Sequence, residues 1–319
     1  MDQLENWARA RGYRAAQVAL ASLQAVLDEL AARHERGEFA PGIRTRLANA
    51  LLAKWPLSSR AKSLVLVAVP APVHSIVFDT GQGELEATVP PTYAYFGNTA
   101  LMVRTQLQQA LGEHFWPARV PLKALAVRAG LARYGRNNLV YVADLGSFIQ
   151  LLGFESDLEV EPGRAGLEPE LLAQCAGCRV CREHCPTGAI GQDRVLLHAE
   201  KCLSLVNQAP GDWPDWVLPS VHNSLLGCMA CQDLCPANQG RRVKAVLGRV
   251  PPAETQALLQ GGREAEALQE ALEARFRDWG LQCGVEVMSR NLRVLLAQPW
   301  QGRRKEGLAS DNRGRAGHA

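Results

Sequence analysis

Apolar and polar positions divide the chain into stretches of different character. Residues 1 to about 60 read as helical. "LASLQAVLDELAARHERG" (Leu20–Gly37) sets Leu23, Leu27 and Leu30 on one face at i, i+4 and i+7, and Gly37 is placed to stop that helix. "SLVLVAV" (Ser63–Val69) is apolar without alternation and rich in β-branched residues, which predicts a central strand covered on both faces. "HSIVFDTGQGELEATV" (His74–Val89) predicts a hairpin turning at Thr80–Gly83. A helix follows over Thr99–Gly112, and "NNLVYV" and "FIQLLGFESDLEV" are two further strand candidates. Strands interspersed with helices predict a fold of the α+β or α/β class, with an N-terminal domain over 1–165.

Periodicity fades over 166–245, as expected of a domain organised by metal clusters instead of a hydrocarbon core. Beyond it, "EALQEALEARFRDWG" and "VEVMSRNLRVLLAQ" predict a helix pair within 246–302. The last stretch, 303–319, holds five Arg and Lys against two acids and little that packs, so it reads as a flexible basic tail.

Composition narrows the classes. The chain has 319 residues, 47% of them hydrophobic, enough for a substantial core. Its net charge of +3 is too small to argue for nucleic-acid binding by itself. The opening residues carry no apolar leader, and no run approaches the roughly 20 apolar residues of a membrane span. The expected location is the cytoplasm, where the nine cysteines stay reduced. Their spacing favours metal.

One run reads Cys175-x2-Cys178-x2-Cys181-x3-Cys185-Pro186, and a second reads Cys228-x2-Cys231-x3-Cys235-Pro236. The x2 spacing lets a short loop wrap a cube and deliver thiolates to separate irons, while the cysteine before proline reaches the other cube. This exchange assigns Cys175, Cys178, Cys181 and Cys235 to one [4Fe–4S] cluster. Cys185, Cys228 and Cys231 then lack one ligand, which the detached Cys202 supplies. Zinc is the alternative, since zinc sites also use C-x2-C pairs, but these thiols are too many and too close for separate tetrahedral sites. His184 reads as a surface residue beside the motif, and Cys283 as a buried apolar one.

The cysteine pattern, with "KCLSL" and "GCMACQDLCPAN", resembles that of the epoxyqueuosine reductase family. "AGLARYGRNNLVYVADLGSFIQLLGFESDLEV" (Ala129–Val160), "SLVLVAVP" and "YAYFGNTALMVRTQLQQAL" are also similar to family sequence. The corrinoid reductive dehalogenases share much of this pattern. The resemblance implies an N-terminal corrinoid-binding-like domain, a ferredoxin-like double-cluster domain and a short C-terminal helical segment. It implies two [4Fe–4S] clusters, a cobalamin, an external electron donor of the ferredoxin or flavodoxin type, and epoxyqueuosine in tRNA as substrate. By the same resemblance Gly130, Gly135, Arg136 and Asn137 would contact the cobalamin, and Gly146, Ser147 and Asp157 would shape the fold or a loop, with Asp157 also a candidate polar contact.

Two departures bear on the chemistry. Thr99 stands where the family keeps an aspartate, and the stretch after Cys202 reads "SLVNQ". Candidate replacements for the missing acid are Tyr95 and Asp144, with Tyr93, Tyr134 and Tyr141 in the same region. The alternative function is a two-cluster electron-transfer or corrinoid-reducing protein without a tRNA substrate. "NQAPGDWPDWVLPSVHNS" (Asn207–Ser224) has too many prolines for a helix or central strand, and reads as a cap over a cluster or a lid over a substrate base.

Overall fold

The computed structural model describes residues 3–39, 57–112, 114–160, 171–192, 196–260, 266–281 and 283–298. The N-terminal part runs α1 (Gln3–Arg9), β1 (Arg14–Ala19), α2 (Leu20–Glu35), β2 (Ser63–Pro70), β3 (Val73–Asp79), β4 (Glu84–Val89), α3 (Phe96–Leu111), β5 (Phe115–Pro117), α4 (Leu122–Arg128), β6 (Ala132–Tyr134), β7 (Val140–Val142) and β8 (Ile149–Ser156). One-turn helices α5 (Val180–Glu183), α6 (Leu203–Val206) and α7 (Ala230–Asp233) mark the cysteine region. Then come β9 (Lys244–Val250), α8 (Pro252–Gln260), α9 (Glu266–Asp278) and α10 (Val285–Ala297).

β2 lies inside a four-stranded sheet of order β1-β2-β8-β5, antiparallel throughout. Its lack of alternation has a simple cause. Leu64, Leu66 and Ala68 face a core with Leu23, Val26, Leu125 and Val127 of α2 and α4. Val65, Val67 and Val69 face the other way, onto Leu4, Trp7, Val103 and Leu107 of α1 and α3. Successive side chains point to opposite faces of a strand, so a sheet covered on both sides demands an unbroken apolar run.

The helical reading of residues 1 to about 60 needs correction. α2 is present, but Arg14–Ala19 is an edge strand paired with β2 from Arg14↔Ala68 to Ala19↔Ser63. "RAAQVA" has one β-branched residue, and only the partner strand makes it extended. Residues 40–56 lie outside the described residues, as does the tail over 303–319. The helix expected from Thr99 begins at Phe96, directly after Tyr95 at φ 55°.

The expected hairpin is β3–β4, and it belongs to a second sheet of order β4-β3-β9. β9 runs parallel to β3, from Val73↔Lys244 to Phe78↔Val250. Ile76, Phe78, Ala87 and Val89 of the hairpin share a core with Leu258, Leu272, Phe276, Met288 and Leu292 of α8, α9 and α10. The C-terminal stretch therefore holds α8 and most of β9 beside the expected helix pair, and the expected boundary at 245/246 cuts through β9. Among the described residues no helix is long and apolar enough to cross a membrane.

Candidate metal centre

The cysteines sit on loops around two one-turn helices, α5 and α7, that pack against each other. Cys181 lies on α5 and Cys231 on α7. Each helix ends just before a Cys-Pro pair, where proline needs no partner for an absent N–H. Cys175, Cys178, Cys181 and Cys235 line one cavity enclosing about 350 Å3 of empty space, part of it open to solvent. Its walls include Arg136, Asn137, Tyr141 and Leu172. The four thiols surround a hollow, and among the described residues no three His, Cys, Asp or Glu side chains are grouped as a single ion requires. A cube that offers each thiolate its own iron needs such a hollow, whereas a tetrahedral zinc site needs convergence on a point.

Electrostatic neighbours largely follow the same two sets, with Cys181 of the first also close to Cys231 of the second. Burial pushes the Cys181 thiol up, and Cys175, Cys235 and Cys178 add to the effect. Burial likewise pushes up Cys228, with Cys202 and Cys185 contributing. It also raises Cys231, beside Cys228, Cys202, Cys181 and Cys185. Crowded thiols that resist ionising alone suit a site where iron supplies the positive charge.

Several sulfurs accept hydrogen bonds. The Arg136 backbone N–H reaches Cys175 Sγ at 3.4 Å, and the Tyr141 hydroxyl reaches Cys235 Sγ at 3.1 Å. Ala189 N–H donates to Cys185 Sγ at 3.2 Å, and Asn223 Nδ2 to Cys228 Sγ at 3.2 Å. Donors to a ligating sulfur stabilise its negative charge. Asn223 is a functional candidate that sequence reasoning missed. It sits in the proline-rich segment, where no spacing rule marks it.

The residues expected to contact cobalamin have other neighbours here. Besides its backbone bond, Arg136 sends its guanidinium to the Cys175 carbonyl at 3.1 Å. Asn137 is 3% exposed and donates to Tyr141 Oη at 2.9 Å and to the Cys231 carbonyl at 3.3 Å. A Cβ on Gly135 would lie 2.5 Å from the Tyr141 ring, so the glycine makes room for that tyrosine. Gly130, at φ 72°, follows the end of α4. Arg136 and Asn137 thus line the cysteine cavity, while Gly135 sits against Tyr141.

The acid replacements are placed as follows. Asp144 is 76% exposed on a surface turn and ion-paired to Arg14 at 3.3 Å, so it is no acid in a pocket. The Tyr95 ring meets His74 edge-on at 5.9 Å, and its carbonyl accepts both the amide and the hydroxyl of Thr99. Burial pushes the phenols of Tyr93 and Tyr134 up to about 12. The Tyr93 hydroxyl accepts from Gln208 at 2.6 Å. Tyr141 is raised by burial and by Cys235, which keeps it a hydrogen donor at neutral pH.

Gly146 and Ser147 dock the second motif. Ser147 N–H donates to Asn238 Oδ1 at 2.9 Å, Gln232 donates to the Ser147 carbonyl at 2.8 Å, and Asn238 Nδ2 donates to Ser147 Oγ at 2.8 Å. Asp157 lies 3.7 Å from His114. Cys283 packs partly buried against the C-terminal core, and His184 is exposed. The Asn207–Ser224 segment is fastened to α10, where Asn291 donates to the carbonyls of Asn207 and Leu225 at 2.9 and 2.8 Å. Its fastening and its Asn223–Cys228 bond give it the position of a cap.

Residues 174–238 match the 4Fe-4S double cluster binding domain family. The chain is 36% identical to the epoxyqueuosine reductase of Staphylococcus aureus over 119 residues, which cover 37% of this chain and 30% of that one. It is 30% identical to the enzyme of Alicycliphilus denitrificans over 190 residues, 58% of this chain and 50% of that one. The aligned region thus spans from under a third to half of these relatives' length. Among solved structures, epoxyqueuosine reductase from Bacillus subtilis aligns with TM-score 0.59 at 20% identity, covering 89% of this chain and 77% of that one. An epoxyqueuosine reductase solved with an epoxyqueuosine-modified tRNA-Tyr stem loop aligns with TM-score 0.60 at 20% identity, covering 92% and 80%. At that identity the structural likeness speaks for the fold, and the sequence matches carry the kinship. Over the aligned residues the chain is similar in sequence to epoxyqueuosine reductases, and it shares their fold.

Proposed function

We propose that the protein is an iron–sulfur oxidoreductase that passes single electrons through two [4Fe–4S] clusters to a cobalamin, reducing epoxyqueuosine in tRNA. Cys175, Cys178, Cys181 and Cys235 hold one cluster, and Cys185, Cys202, Cys228 and Cys231 hold the other. The observation that carries this reading is the cavity lined by three cysteines of one run and the last cysteine of the other. Bound clusters supply one-electron transfer, with potentials set by hydrogen bonds to sulfur and by exposure. The chain's own residues exclude water, orient thiolates and donate to them. An external carrier of the ferredoxin or flavodoxin type supplies electrons, and the thiol-reducing cytoplasm suits such a site.

Support for cobalamin comes from α3, the helix that family resemblance lays across the corrinoid. It leaves Leu101 62% and Met102 43% exposed, an apolar surface suited to a macrocycle. Support for tRNA is the relative solved with a modified stem loop.

A second reading, an electron-transfer or corrinoid-reducing protein without tRNA, draws on Thr99. Its hydroxyl is engaged by the Tyr95 carbonyl at 2.9 Å and it is no acid near neutral pH. Anaerobic reconstitution followed by titration with cobalamin tests the cofactor, with a base-off spectrum as the expected result. Absence of any spectral change overturns it. Turnover of epoxyqueuosine RNA then separates the readings: product supports the reductase, and binding without product supports the second.

A further inference from the structure

Two buried side chains connect the cysteine sets. Asn137 Nδ2 donates to the Cys231 carbonyl at 3.3 Å and to Tyr141 Oη at 2.9 Å, and Tyr141 Oη reaches Cys235 Sγ at 3.1 Å. The chain of contacts runs from a thiol-bearing residue of one set to a sulfur of the other. It has a direction. The phenol oxygen accepts from the Asn137 amide, so its own hydrogen is free to point at the sulfur. Tyr141 is 4% and Asn137 3% exposed, so water competes little for these bonds. Gly135 keeps the ring in place, since any side chain there would strike it.

The corresponding sulfur of the other set is treated differently. Cys185, which like Cys235 precedes proline, accepts from Ala189 N–H at 3.2 Å and has the Thr187 hydroxyl at 3.9 Å. Among the described residues no phenol hydrogen-bonds to it. The two cysteine-proline corners, alike in sequence, therefore differ in one buried, oriented O–H donor.

We propose that Tyr141, positioned by Asn137, raises the reduction potential of the cluster held by Cys175, Cys178, Cys181 and Cys235 and leaves the other cluster's potential unaffected. The inference rests on the cluster assignment proposed above. A cluster that takes up one electron places more negative charge on its sulfurs, and a hydrogen bond to sulfur strengthens as that charge grows. The bond thus favours the reduced form. Asn137 acts through Tyr141 and is a positioning residue.

The test is a potentiometric titration of the anaerobically reconstituted full-length protein with dithionite, read by electron paramagnetic resonance, beside iron content. Tyr141→Phe keeps the ring and removes the donor. It is expected to shift one potential downward by a factor of about ten in the reduced-to-oxidised ratio, about 59 mV for one electron, with the other unmoved. The resonance Raman iron–thiolate bands should shift as well. Asn137→Ala should move the same potential in the same direction by less, because the phenol remains. Asn223→Ala, which removes the donor to Cys228, should move the other potential alone. Unchanged potentials in Tyr141→Phe with full iron content, or equal shifts of both, overturn the inference and leave the cluster assignment standing. A wild-type protein that binds no pair of four-iron clusters overturns the assignment itself, and this inference with it.

Discussion

The Arg290 guanidinium lies over the Trp213 indole, 3.9 Å from the ring centroid, and ties the segment between Cys202 and Cys228 to α10. Arg290 also donates to the carbonyls of Asn207 and Gly211, and the same indole meets His222 edge-on at 4.2 Å. A stretch that sequence leaves open as cap or lid is thus clamped at several points to the C-terminal helix.

Arg290→Ala should loosen this cap. It removes a cation–π contact and hydrogen bonds together worth about 2–3 kcal/mol. Melting should fall by several degrees. In the reconstituted protein, air should bleach the cluster near Cys202 and Cys228 faster than the other. Equal bleaching rates in variant and wild type would show that the segment does not shield that site.

His222 makes the same region sensitive to acid. It is 4% exposed, and neither ring nitrogen has a hydrogen-bond partner among the described residues. Burial, and then the charge of Arg290, pull its pKa down from 6.5 to about 4. Above pH about 6.5 both folded and unfolded imidazoles are neutral and stability is at its full value. As pH falls from 6.5 toward 4 the unfolded chain takes up a proton that the fold refuses, and up to ~3 kcal/mol is lost. Urea unfolding at pH 7.5 and 5.5 should show wild type losing ~1 kcal/mol more than His222→Phe over that interval. Parallel losses would assign the acid sensitivity to other groups.

Cys202→Ala tests the detached ligand. Iron should fall from about eight to about four per chain, or the affected site should convert to a smaller cluster. The signal of the cluster at Cys175, Cys178, Cys181 and Cys235 should persist. Iron remaining near about eight would show that another residue completes the second site.

Gly146→Ala probes the seat of the second motif. Gly146 has φ 67°, and a Cβ there would lie 2.5 Å from Asn238 Oδ1. Backbone strain alone costs about 1–3 kcal/mol, and displacing Asn238 breaks its bonds to Ser147. Thermal unfolding should show this loss, whereas Gly177→Ala, at φ 73° with nothing near its Cβ, should show only the strain.

Much of the fold was legible in local pattern. β2, the β3–β4 hairpin, α2, α9 and α10 announce themselves by apolar runs or helical spacing within a few residues. β1 and β9 do not. Both are edge strands whose conformation comes from pairing, β1 with β2 and β9 with β3. β9 is drawn to β3 from some 170 residues away, so no window of sequence contains the cause.

The cysteine sets divide along the same line. Spacing assigned Cys175, Cys178 and Cys181 with the distant Cys235 to one cluster, and Cys228 and Cys231 with Cys185 and the detached Cys202 to the other, because a short loop can deliver only so many sulfurs to one cube. The surroundings of those sulfurs were beyond its reach. Tyr141 meets Cys235 across 94 positions of sequence, and Asn137 meets Cys231 across the same separation. Sequence determined which thiols are spaced to meet around a cluster, a property of residue type and short-range reach. The tertiary structure decided which donors and charges surround them, because hydrogen bonds form between groups that only packing brings together.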